Sequence, residues 1–217
     1  IFTGDATNYT WTNNLSAIGL AQTGNGNIPA FTVTNSTPLP IDALIAVTPE
    51  FTSSGLTCMG NPESFNISVL PTPEADPLAD IVVCSSSDIG PIQFSGVATN
   101  YEWTNSNSAI GLATGGNGNI SIFSYDNQSN SSESATISVT PQYDYQGLSC
   151  IGSQESFLIT VLPEPNLDPT NDVTYCNGAS TSPINFNGLA TEFSWMNDNP
   201  NIGLGGSGVD DILSFTV

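Results

Sequence analysis

Apolar and polar residues alternate with a period of two in well-separated stretches of the chain. In Glu133–Pro141 (ESATISVTP), Ala135, Ile137 and Val139 face one way and Thr136 and Ser138 the other. In Glu155–Pro163 (ESFLITVLP), Phe157, Ile159 and Val161 form the apolar side. Alternation of this kind, bounded by turn residues, predicts half-buried antiparallel strands. Further strands are expected upstream. Asp80–Cys84 is a first strand, Pro91–Ala98 a second with Phe94 pointing inward, and Asn100–Asn105 a third carrying Trp103. Ala109–Ala113 reads as a short strand before a turn at Gly115–Gly118, and Asn119–Asp126 follows with Ile120 and Phe123 as anchors. Seven such strands predict a two-sheet sandwich, and the expected fold class is all-β.

The pattern is periodic. Ala98–Ile120 (ATNYEWTNSNSAIGLATGGNGNI) occurs almost word for word at Ala6–Ile28 and more loosely at Ala190–Ile212. Trp11, Trp103 and Trp195 are each 92 residues apart, and the same step carries Cys58 to Cys150 and Cys84 to Cys176. A fixed period defines the structural unit. Inward positions are kept between units: Ala43, Ile45 and Val47 match Ala135, Ile137 and Val139, and Phe65, Ile67 and Val69 match Phe157, Ile159 and Val161. Outward positions vary, with Leu44 and Ala46 in place of Thr136 and Ser138. The units expected are 1–72, a partial sandwich lacking its first strand; 73–164, a complete one; and 165–217, a partial one lacking its last strands. On this reading the chain is a window on a longer repetitive protein. Proline-rich segments, Pro71–Pro77 (PTPEADP) and Pro163–Pro169 (PEPNLDP), lie between units. Spaced prolines make extended, semi-rigid connections, so the sandwiches are expected end to end, each adding on the order of 40 Å.

Composition narrows the function. The chain has no Lys, Arg or His against 20 Asp plus Glu. So negative a surface offers nothing to a phosphate backbone and is repelled by an anionic membrane, so neither nucleic acid nor membrane is an expected partner. Charged residues are only 9 % of the chain, so its polarity comes from Ser, Thr and Asn, a strand-and-turn composition. No apolar run is long enough to span a bilayer.

The run NYEWTNSNSAIGLATGGNGNISIF, the segment Cys176–Ser180 (CNGAS) and the closing SFLITVLPEP resemble the PKD-like repeats of Bacteroidota surface proteins. The resemblance covers the whole chain. Such repeats stand in tandem in very large adhesins, including the gliding-motility adhesin exported by the type IX secretion system. It implies immunoglobulin-like sandwiches, an extracellular, cell-surface location and a stalk or adhesive role. The expected partners are other repeats of the same chain and an external surface or polysaccharide. The alternative function is a glycan- or polymer-binding module within a secreted multidomain protein.

Candidate chemistry is sparse. Cys84 and Cys150 fall in one unit and are the expected disulfide, with free buried thiols as the alternative; zinc lacks both His and CxxC spacing. A disulfide would indicate an oxidising compartment. Glu74, Asp76, Asp80, Glu164, Asp168 and Asp172 gather near the linkers and are candidate calcium ligands, weighed against solvated surface acids. Calcium is the one cofactor considered. The tryptophans read as core residues rather than sugar platforms. Gly24–Asn27 and Gly115–Asn119 read as tight turns, because a phosphate loop needs a Lys and a following helix. Seven Asn-x-Ser/Thr sequons, starting at Asn8, Asn14, Asn35, Asn66, Asn119, Asn127 and Asn130, carry little weight in a chain so rich in these residues. Without His or Lys no thiol is activated and only a carboxylate pair could catalyse, as in glycoside hydrolysis; no acidic pair recurs in the core strands, so no enzyme is expected.

Overall fold

The computed structural model describes residues 1–217 and is nearly all β, with no α-helix. A first sheet contains β1 (Asn8–Asn13), β2 (Thr23–Asn25), β3 (Ile41–Ser53), β4 (Leu56–Met59) and β5 (Glu63–Val69). Its order is β2-β1-β3, and the far edge of β3 carries β4 toward one end and β5 toward the other. The next strands are β6 (Glu74–Ala75), β7 (Ile81–Cys84), β8 (Asp88–Ile89), β9 (Gly96–Val97), β10 (Asn100–Asn105), β11 (Gly115–Asn117) and β12 (Phe123–Ser124). They are followed by β13 (Glu133–Tyr145), β14 (Leu148–Ile151) and β15 (Glu155–Leu162). The second sheet runs β11-β10-β13-β15-β7, with β14 also on β13. All its pairs are antiparallel except β15 with β7. The last strands, β16 (Ser194–Met196) and β17 (Ser207–Val209), form a two-stranded ladder.

Each large sheet has its own apolar core, and the two cores share no residue. In the second, the inward residues of β13 and β15 and Trp103 of β10 pack against Ile89, Ile92, Phe94, Ile110, Leu112 and Ile120. These opposing residues come from the β8–β12 pair, the Ile92–Ile120 bridge and nearby loops. In the first, Trp11, Ala43, Ile45, Val47 and Val69 meet Ile18 and Leu20. Alternation therefore reports a buried face, as expected of a sheet packed on one side.

Several expectations change. Ala109–Ala113 is not a strand. Ser108–Ile110 is a short 3-10 turn, capped by the Asn107 side chain, which accepts the Ala109 N–H at 3.1 Å, and closed by Gly111 at φ 82°. A buried side chain explains the turn. Asn105 Nδ2 donates to the carbonyls of Leu112 and Ala113 at 2.9 and 3.2 Å, and its Oδ1 accepts the Asn107 N–H at 3.0 Å. Asn13 and Asn197 make the same bonds in their units. Gly115–Asn117 is likewise a strand and not a turn; only Gly118, at φ 69°, turns the chain. Gly116 lies against the indole of Trp103, and a Cβ there would sit 2.6 Å from Cζ2. Gly24 and Gly208 stand in the same relation to Trp11 and Trp195.

β13 also runs past Pro141 to Tyr145. Between Val139 and Gln142 its partner changes from β15 to β14, so the proline sits where that edge is passing between partners. Proline is tolerated in a ladder only at such breaks or edges.

Candidate functional site: the junctions between units

The proline-rich connections are not free spacers. Pro71 and Pro73 are buried, and β6 pairs with β9. The Asp76 N–H donates to the Ser95 carbonyl at 2.8 Å. Close approach of the two backbones requires Gly96, whose Cβ would lie 2.3 Å from the Glu74 carbonyl oxygen; its φ is 127°. The next junction is built alike. Asn166 N–H donates to Leu189 O at 2.9 Å, Asp168 N–H to Asn187 O at 2.7 Å, and Gly188 takes the place of Gly96. The first connection is thus a short strand laid on the unit that follows it, and the second is held to its unit by the equivalent backbone bonds.

A second device closes the end of each preceding unit. Asn127 is buried; its Nδ2 donates to the carbonyls of Ser131 and Val161 at 2.8 and 2.9 Å. Its Oδ1 accepts from the N–H and hydroxyl of Ser129. Asn35 does the same with Leu39, Val69 and Thr37. These two sequons are Asx turns, in which the residue two places on bonds back to the asparagine. The sequence reading missed this role; the signal was the recurrence of Asn-x-Ser/Thr at the 92-residue step. Beside these turns lie shallow polar grooves, one between Asn35–Pro38 and Thr72, Glu74 and Val97, the other between Asn127–Asn130 and Glu164–Asn166.

The candidate calcium ligands do not converge. No three acidic side chains form a cluster able to hold a metal. Asp76 accepts the Ser95 hydroxyl at 2.7 Å, and Asp80 accepts the Leu158 N–H at 2.7 Å. Asp76 and Asp80 are thus engaged with residues of different segments, Ser95 and Leu158, and Glu74 lies in β6 paired with Val97. Their counterparts Glu164, Asp168 and Asp172 lie on or just after the second connection and form no such cluster either.

The expected Cys84–Cys150 disulfide does not form; all four cysteines are free. Cys84 lies opposite Leu162, beside the Glu133 end of β13, whereas Cys150 lies opposite Tyr143. About ten residues of strand separate them, on the order of 30 Å, and a disulfide needs Cα atoms within about 7 Å. Matching the two cysteines to one unit said nothing of the end at which each would lie.

Trp11 and Trp103 are buried in their cores, and Trp195 is half-buried. The indole N–H of all three lacks a partner. Of the ionisable groups, Tyr101 is shifted: burial, with the Asp76 carboxylate adding to it, raises its phenol above 10.0. No helix is long and apolar enough to cross a membrane. No known family model matches the chain, and no curated protein matches it.

Proposed function

We propose that this chain is a structural, adhesive segment of a long cell-surface protein, made of immunoglobulin-like, PKD-like sandwiches arranged end to end. The units are 1–72, 73–164 and 165–217, and the segment does mechanical rather than catalytic work outside the cell. One observation carries the reading: both connections are seated on the unit that follows by equivalent backbone hydrogen bonds, as a short ladder at the first, so tension on the chain would be borne by these bonds rather than by slack linkers. The 92-residue step and the resemblance to repeats of surface adhesins support it. The uniformly acidic surface fits a role that needs solubility and no nucleic acid or lipid contact. Electron microscopy of the chain tests the proposal. It should show an elongated particle of successive beads; a single compact particle would sink it.

A further inference from the structure

Four asparagines of the chain precede a glycine: Asn25, Asn117, Asn177 and Asn187. Such a pair can modify itself in water, because glycine has no side chain to hinder attack of its backbone nitrogen on the asparagine amide. The attack needs that nitrogen free. In three pairs it is held: Gly26 N–H donates to Tyr9 O, Gly118 N–H to Tyr101 O and Gly178 N–H to Val217 O, each at 2.8 Å. The Gly188 N–H makes no hydrogen bond. Asn187 is exposed, and its side chain holds no hydrogen bond either.

This pair stands at the second junction. Gly188 is required there, at φ 146° and with Asn166 O only 2.3 Å from where a Cβ would lie. The first junction has Ser95 before the equivalent Gly96. Ser95 is exposed in a complete unit, so the exposure of Asn187 belongs to the repeat itself. The Ser95 hydroxyl donates to Asp76 and has no amide to lose. We propose that Asn187 is a self-modification site, whose slow conversion to aspartate and isoaspartate releases the second connection from the third unit and leaves the first in place. This ageing does not depend on the chain serving as a stalk.

In the first step the Gly188 nitrogen bonds to Cγ of Asn187, and the side-chain amide leaves with the displaced proton as ammonia. A succinimide ring remains. Water then cleaves the bond from the ring nitrogen to Cγ, giving aspartate, or the bond to the main-chain carbonyl carbon, giving isoaspartate. Water is the one co-reactant. Aspartate sets a carboxylate where Ser95 offers a hydroxyl, at the place facing Asp168, the counterpart of Asp76. Isoaspartate routes the main chain through Cβ and Cγ and lengthens it by one atom. The carbonyls of Asn187 and Leu189 accept the N–H groups of Asp168 and Asn166 at 2.7 and 2.9 Å, and the added atom breaks the spacing that lets both bonds form.

Incubation of the native chain in mildly alkaline buffer, followed by chymotryptic peptide mapping in a mass spectrometer, tests this. Asn187 should convert about fivefold or more ahead of Asn25 and Asn117, the factor that one intact hydrogen bond supplies. In concentrated urea the three should convert at similar rates. Ser95→Asn should create a second reactive pair, at the first junction. In the aged chain the amides of Asn166 and Asp168 should lose protection from hydrogen exchange, and in an equally aged Asn187→Ser chain they should keep it. Conversion of Asn187 no faster than that of Asn117 in the native chain, no product at the first junction of Ser95→Asn, or unchanged protection at Asp168 in converted chains would overturn the proposal.

Discussion

The contact between Gly116 and Trp103 turns a glycine-rich stretch into a packing requirement, and Gly116→Ala measures it. The added Cβ would lie 2.6 Å from Cζ2, 2.9 Å from Cε2 and 3.3 Å from Cη2 of the indole. Carbon atoms pack best at about 3.5–4.0 Å, so the overlap approaches about 1 Å. Trp103 is 7 % exposed and held by the core, so β11 must lift from β10 instead. Overpacking of this kind costs about 1–3 kcal/mol, offset by about 0.4–1 kcal/mol from the reduced entropy of the unfolded chain. The net expectation is a loss of about 1 kcal/mol. Urea unfolding followed by the NMR intensities of the Ile137 and Ile159 amides reads it within the second unit. Trp103→Phe removes the outer ring that the new methyl would strike. In that background only the entropic gain of about 0.4–1 kcal/mol remains, so Gly116→Ala should stabilise slightly, giving a coupling of about 2 kcal/mol. Gly118→Ala is the control: its φ of 69° strains an alanine, but nothing lies within 4 Å, so its cost should be the same in both backgrounds. Additivity of Gly116→Ala with Trp103→Phe would refute the packing argument.

Other consequences are open to direct measurement. Asn105→Ala strands the Leu112 carbonyl and the Asn107 N–H and should lower stability by about 2–6 kcal/mol in urea unfolding, at about 1–3 kcal/mol per buried group left unpaired. Thiol titration of the freshly reduced, native chain should find the exposed Cys58, Cys84 and Cys176 reacting faster than the half-buried Cys150, and mild oxidation should produce no Cys84–Cys150 bridge in peptide mapping. The raised phenol of Tyr101 favours its neutral form in the folded chain. Its contribution is therefore complete below the unfolded value of about 10 and is lost as pH rises through the higher folded value. Denaturation midpoints should fall in strong alkali, and Tyr101→Phe should reduce that fall.

The long strands that bury one face were legible in the sequence, but Pro91–Ala98 and Asn119–Asp126 are not continuous strands: each holds one bridge residue, Ile92 or Ile120, and a two-residue strand. Asn100–Asn105 is β10 to the residue, and the inward sets of β13 and β15 are the core. The period was legible too, because it needs no structural knowledge. Features that depend on what a residue meets across space were not. AIGLA has the composition of a strand, yet the Asn105 side chain gathers it into a turn. GGNGN has the composition of a turn, yet the flat indole beneath it demands glycine in a strand. Phe65 and Phe157 are indistinguishable by pattern; the strand beside one and not the other sets their exposure. The cysteines and linker acids failed for a related reason. Their spacing along the chain fixed neither the strand ends at which the cysteines lie nor the separate partners that the acids engage.

Independence of successive cores is the claim on which the account rests, and native-state amide exchange in an Ile45→Ala variant tests it most directly. Ile45 is fully buried in the first core, and its truncation should cost about 2–5 kcal/mol there. Protection should fall at Ala43 and Val47 and stay unchanged at Ile137 and Ile159. An equal loss of protection at all four would mean one merged cooperative unit and would contradict the account.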